Sequence, residues 1–180
     1  MDAKTAAPSN DPKLSVPAAA GELAPSNFGD IFGQRRGSQE AQDPAVSDRI
    51  EKQLREALAL KERGNELFGQ GDKLEAMKQW HLASLHSAGI NSFGGSHTST
   101  EKQNQRAKAI TIAVFNNLAG CYLSELKFEK VLYATGKVLA LDEANVKAHY
   151  RLARALIAMN NTQKAASHLD KAMEFAPNGG

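Results

Sequence analysis

The chain has 180 residues, 42% of them hydrophobic, and a formal net charge of +2. That length suits one ordinary domain with a tail, and that charge is too small for a general nucleic-acid or membrane field. The one cysteine, Cys121, excludes an internal disulfide framework and fits a reducing compartment, with the cytoplasm as default; no apolar run approaches a membrane span, and the N-terminus has no continuous apolar stretch of the secretory kind.

Residues 1–46 are rich in Ala, Pro, Ser, Gly and Asp and follow neither hydrophobic period, so a disordered tail is expected. Its one apolar knot is Phe28-Gly29-Asp30-Ile31-Phe32, read as incidental linker sequence more readily than as a docking motif. Helix is expected from Ser47, a plausible N-cap followed by Asp48 and Glu51. Ile50, Leu54, Leu58 and Phe68 then recur at helical spacing. Gly69 to Gly71 closes this helix. Lys73 to His86 reads as a second helix, with Leu74, Met77, Trp80 and Leu82 available for burial. Residues 88–100 are a loop by composition. Thr100 caps a third helix with Gln103 at the capping-box position, and that helix runs to about Glu125. Phe128–Leu141, Asn145–Met159 and Thr162–Phe175 complete six helices, and Pro177 ends the last.

Two stretches, Ile112–Ala144 and Val146–Asn178, superimpose with a shift of 34 residues. A first unit joins them when Gly64 is set against Ala119 and Ala153. Ala76, Val131 and Ala165 then coincide, as do Ala83, Val138 and Ala172. Small residues at these places let neighbouring helices approach closely. The units are about 57–90, 112–145 and 146–179, with an insertion over 91–111 supplied by the glycine-rich loop and the start of the third helix.

This period resembles that of the tetratricopeptide repeat. The resemblance implies an all-α fold: a right-handed solenoid of three helix-turn-helix repeats over 47–180, with an extended first helix. It also implies that the first helix of each pair faces a concave groove. Lys61 and Asn65 share a helix face at i, i+4, as do Lys147 and Arg151, and Asn117 lies on the helix between. Lys and Arg only donate, and each Asn amide adds two N–H donors, so the cluster suits carboxylates. A polypeptide whose last residue is Asp would bring two. Phe68, Leu123 and Ile157 lie about one turn further along and would offer apolar pockets, while Arg154 meets an upstream acid or is simply surface.

The runs Lys61-Glu-Arg-Gly-Asn65, Phe115-Asn-Asn117-Leu-Ala and Lys147-Ala-His-Tyr-Arg151 resemble the two-carboxylate clamp of tetratricopeptide co-chaperones, in particular those of the large immunophilins. All five clamp residues, Lys61, Asn65, Asn117, Lys147 and Arg151, match by type and position. The resemblance implies a non-enzymatic adaptor for the Glu-Glu-Val-Asp-type C-terminal tails of heat shock protein 90 or heat shock protein 70, acting in the cytoplasm as a monomer without a cofactor. It departs from the family in three ways. No isomerase domain precedes the repeats; the usual proline is replaced by Ala88 and Glu143 in units one and two; and no capping helix follows Pro177, which leaves the last helix face as a truncated edge or a partner surface.

A chaperone-independent scaffold is the alternative. A module of a longer enzyme is a third reading, against which the start at Met1 with a tail of its own speaks mildly. The five histidines are scattered without metal-ligand spacing, and the basic run Lys102–Lys108 has no interleaved aromatics, so neither metal nor nucleic acid is expected. Cys121 reads as a small core residue rather than a reactive thiol, and Tyr150 as packed between helices.

Overall fold

The structure, a computed structural model, describes residues 44–92 and 99–176. Six helices follow one another: α1 Pro44–Gly69, α2 Lys73–Ser92, α3 Glu101–Ser124, α4 Phe128–Leu141, α5 Val146–Ala158 and α6 Thr162–Glu174. Among the described residues there is no strand. Consecutive helices pack pairwise, and α3 also touches α1 and α5, which makes the first helices of the three pairs a continuous layer. The Phe28 knot and Pro177 lie outside the described residues.

The stacking register follows the small residues. Gly64, Ala119 and Ala153 are buried, as are the Ala76, Val131, Ala165 set and the Ala83, Val138, Ala172 set. Closest of all is Gly64: a Cβ there would stand 2.5 Å from Trp80 Nε1. The first helices of the three pairs also end alike. Gly71, Leu126 and Asn160 occupy the same place in each unit, and each has positive φ, at 90°, 58° and 59°. Behind each, the following amide reaches back to the helix, Asp72 to the Leu67 carbonyl, Lys127 to Tyr122 and Asn161 to Leu156. This is the left-handed helix ending that satisfies orphan carbonyls. Glycine suits the conformation and asparagine tolerates it; Leu126 is the costly occupant.

The structure corrects several boundaries. α1 begins at Pro44, so Ser47 is not an N-cap but lies inside the first turns. Ser47 Oγ instead accepts from Gln103 Nε2 at 3.3 Å. α2 continues through Ser92 rather than giving way to loop at Ala88. Burial of Ile90 in the main core, and a 2.8 Å hydrogen bond between the Thr111 and Ser87 hydroxyls, hold the helix past Gly89. Along α2, Met77 and Trp80 are buried as expected, but Leu74 and Leu82 are exposed, at 69% and 44%. The buried stripe runs instead through Ala76, Ala83 and Ser87.

The insertion before unit two is therefore largely helical in its described part, lengthening α2 and α3. Thr100 and Gln103 form the expected capping box at the start of α3. Gln103 does more than cap. Its carbonyl oxygen accepts from the Thr100 amide at 2.9 Å, and its Nε2 donates to Glu51 Oε1 at 3.2 Å. Arg106 donates to Glu51 Oε2 at 2.7 Å, and this bond foremost holds the Glu51 carboxyl below the usual carboxylate range. The extended end of α3 is thus tied to the extended end of α1.

Candidate functional site

The concave layer is built from α1, α3 and α5. On α1, Lys61 and Asn65 are one turn apart, and the sole tryptophan, Trp80 of α2, lies behind them. Its indole N–H faces both the Lys61 carbonyl, at 3.3 Å, and Asn65 Oδ1, at 3.2 Å. A buried indole N–H needs such a partner. From α3, Asn117 Nδ2 donates to the same Asn65 Oδ1 at 3.0 Å. Two donors on one oxygen settle which way the Asn65 amide faces, leaving its Nδ2 directed away from them. That Nδ2 donates to Glu62 Oε2 at 3.2 Å, while Glu62 Oε1 sits 2.7 Å from Lys61 Nζ. Hydrogen bonds from Lys61, foremost, and Asn65 hold the Glu62 carboxyl below its usual range.

The other half of the cluster is held differently. Arg151 of α5 donates to Asn116 Oδ1 at 3.1 Å, and Asn116 Nδ2 donates to Asn145 Oδ1 at 3.2 Å. Asn145 in turn caps α5 by accepting from the Ala148 amide. Asn116 therefore fixes Arg151 and the start of its helix together. The guanidinium lies over Gly120, where even a Cβ would meet it only at ordinary contact distance, 3.5 Å. Partial burial pushes the Arg151 pKa down from its usual value. Lys147, one turn earlier, is exposed and makes no hydrogen bond or ion pair with another described residue.

Of the five predicted donors, Lys61, Asn65 and Asn117 are thus joined in one network. Arg151 is joined to α3 through Asn116, and Lys147 stands free on the same face of α5. The secondary residues divide. Phe68 is 45% exposed, its ring 5.6 Å from that of Trp80. Leu123 is half-buried against the main core, and Ile157 is half exposed. Arg154 is exposed, with its guanidinium 5.9 Å from the Tyr150 ring. Tyr150, expected between helices, is itself 50% exposed; it borders an apolar hollow of about 920 Å³ against α6 with Val146, Leu169 and Met173. A smaller hollow, about 240 Å³, adjoins Lys61 and is lined by Leu58, Arg106, Ala109 and Ile110. Cys121 is buried, and burial foremost raises its thiol pKa, as befits a core residue.

Sequence reasoning missed the positioning roles of Trp80 and Asn116, and the contacts of Glu62 with two of the donors. Each had a faint signal. A lone tryptophan brings an N–H that burial must satisfy, and a second asparagine beside Asn117 puts an amide on the packed face of α3. Glu62 adjoins Lys61, but neighbours in a helix do not ordinarily face each other.

Residues 122–179 match the tetratricopeptide repeat family. The chain is 28% identical over 128 residues to the human peptidyl-prolyl cis-trans isomerase FKBP4, covering 71% of this chain and 27% of that one. It is 32% identical over 125 residues to outer envelope protein 61 of Arabidopsis thaliana, covering 69% of this chain and 20% of that one. Among solved structures, the C-terminal TPR-containing domain of an FK506-binding protein of Plasmodium falciparum superimposes with a TM-score of 0.64 at 29% identity, over 72% of this chain and 82% of that one. The protein has a tetratricopeptide-repeat domain. It resembles the repeat domains of immunophilins, and it spans only 27% and 20% of the two curated relatives' lengths. The six helices form an all-α repeat solenoid in which the first helix of unit one, outside the family match, ends in the same left-handed turn as the first helices of the other two. Among the described residues, no helix is long and apolar enough to cross a membrane.

Proposed function

We propose that the concave groove of this repeat domain binds the acidic C-terminal tail of heat shock protein 90 or heat shock protein 70, and that the protein serves as a non-catalytic co-chaperone adaptor in the cytoplasm. Lys61, Asn65 and Asn117 would take one carboxylate of the terminal residue, and Lys147 and Arg151 the other. The observation that carries this reading is Glu62. A single carboxylate reaches Lys61 Nζ at 2.7 Å and Asn65 Nδ2 at 3.2 Å. The two donors therefore already stand at the spacing one carboxylate needs. Likeness to immunophilin repeat domains supports the same reading.

Charge-assisted hydrogen bonds contribute on the order of 1.5–3 kcal/mol each, so the loss of one lowers affinity roughly tenfold or more. Lys147 is the clean test, because it has no hydrogen-bond or ion-pair partner among the described residues. In a calorimetric titration with a peptide ending in Glu-Glu-Val-Asp, Lys147→Ala and C-terminal amidation of the peptide are each expected to weaken binding roughly tenfold or more, with helicity intact. Equal affinity for the free-acid and amidated peptides would overturn the reading. The exposed hollow beside Tyr150 and Met173 favours a second reading, a scaffold that binds another protein through α5 and α6. It predicts partner capture that survives Lys147→Ala.

A further inference from the structure

We propose that Glu62 is an internal competitor, a carboxylate of the protein itself that occupies the first-repeat half of the clamp and must be displaced by the ligand. The inference rests on the carboxylate-clamp reading and concerns the same site. Its basis is the assignment of donors. Lys61 has its ammonium 2.7 Å from Glu62 Oε1, and the free amide nitrogen of Asn65 is 3.2 Å from Glu62 Oε2. One anion thus takes up both α1 donors that an incoming carboxylate would need.

Two roles are conceivable for such a residue, and they have opposite signs. If Glu62 positioned its neighbours, removing it would weaken binding. The hydrogen bonds around Asn65 argue against positioning. Trp80 and Asn117 both donate to Asn65 Oδ1, so the amide is oriented from behind, from α2 and α3, without Glu62. The backbone of Lys61 is held likewise, its carbonyl facing the Trp80 indole N–H. What Glu62 adds is negative charge at the place where a ligand carboxylate would sit, together with a claim on its donors. Its side chain is 55% exposed, so it is able to swing into solvent when displaced. The ligand then exchanges one carboxylate for another at Lys61 and Asn65, and the net gain comes from Asn117, Lys147 and Arg151. This arrangement holds affinity down and keeps the donors from collecting adventitious anions.

The test compares Glu62→Gln with Glu66→Gln. Glu66 lies on the same helix, pairs with exposed Arg63 at 3.2 Å, and changes the net charge by the same amount. Each variant and the parent protein are titrated calorimetrically with the free-acid Glu-Glu-Val-Asp peptide and its amide. Glu62→Gln is expected to bind the free acid about two- to fivefold more tightly than the parent, and the gain should shrink as salt is raised. Glu66→Gln should stay close to the parent. A Glu62→Gln affinity equal to that of Glu66→Gln, or weaker than the parent's, overturns the competitor role while leaving the clamp intact. Failure of the parent and both variants to distinguish acid from amide would instead overturn the clamp itself, and the competitor with it.

Discussion

Asn117 donates to Asn65 across the α1–α3 interface at 3.0 Å, and this bond joins two repeats at the centre of the concave face. It shares its acceptor with the Trp80 indole, so Asn65 is held by one donor from its own repeat and one from the next. The consequence is directional: the amide oxygen is occupied by donors from α2 and α3, and the amide nitrogen is left to Glu62 Oε2.

Trp80→Phe keeps an aromatic ring beside Phe68 and removes the donor. The expected outcome is a stability loss of about 0.5–1.5 kcal/mol and a severalfold weaker interaction with the acidic peptide, since Asn65 would keep only one of the bonds that orient it. Urea denaturation and calorimetry read the two effects separately. Unchanged peptide affinity would show that Asn117 alone suffices.

Gly64→Ala tests the closest approach in the stack. The added methyl would meet the Trp80 ring at 2.5–2.6 Å, with the Ala76 carbonyl at 3.1 Å behind. Relief requires the ring or the helix to move, and overpacking of this kind costs typically about 1–3 kcal/mol. A denaturation midpoint equal to that of the parent would contradict the packing described.

Leu126 holds a left-handed conformation at φ 58° while 71% exposed, in the place that Gly71 fills in unit one. The conformation costs an L-residue about 1–2 kcal/mol, and glycine costs about 0.5–1 kcal/mol in backbone entropy. Leu126→Gly should therefore stabilise by up to about 1 kcal/mol, and Gly71→Ala should destabilise by a similar amount. Opposite signs in two equivalent turns, read by chemical denaturation, are the signature; equal signs would refute it.

The last repeat carries a histidine pair. His149 is buried, its Nε2 stands 2.8 Å from the Glu143 carbonyl, and its Nδ1 lies 2.9 Å from His168 Nδ1. Donation from Nε2 to the carbonyl leaves the His149 Nδ1 as acceptor, so His168 donates. Burial foremost, then His149 and Lys171, lower the His168 pKa below 6.5; burial foremost, then Lys130, lowers that of His81. A depressed folded-state pKa means that the unfolded state binds protons first. Stability is thus full above pH 6.5 and falls as the pH drops from there through the folded-state pKa values. Denaturation at pH 7.5 and 5.5 should show that loss, and His168→Gln should reduce it. A pH-independent midpoint over this interval would rule the effect out.

The helices were legible because their signals are local. Thr100 and Gln103 announce the start of α3, and the three sets of small residues announce the stack, with no reference to distant contacts. Where sequence reading slipped, the deciding contact was remote. Ser47 reads as a cap until Gln103 of α3 engages it, and residues 88–92 read as loop until Ile90 finds the core. Leu74 and Leu82 are as apolar as Met77, but only the stack decides which side of α2 is covered.

The same division applies to the groove. The sequence alone determined the six helices, the repeat register and the donor types at Lys61, Asn65, Asn117, Lys147 and Arg151, because periodicity places residues on faces of a helix whose geometry is constant. Only the tertiary structure decided that the Asn65 amide turns its oxygen to Trp80 and Asn117, that Asn116 holds Arg151, and that Glu62 lies on two of the donors. Those facts depend on hydrogen bonds between helices brought together by packing, and the directions of side-chain amides are set by partners that no spacing along the sequence records.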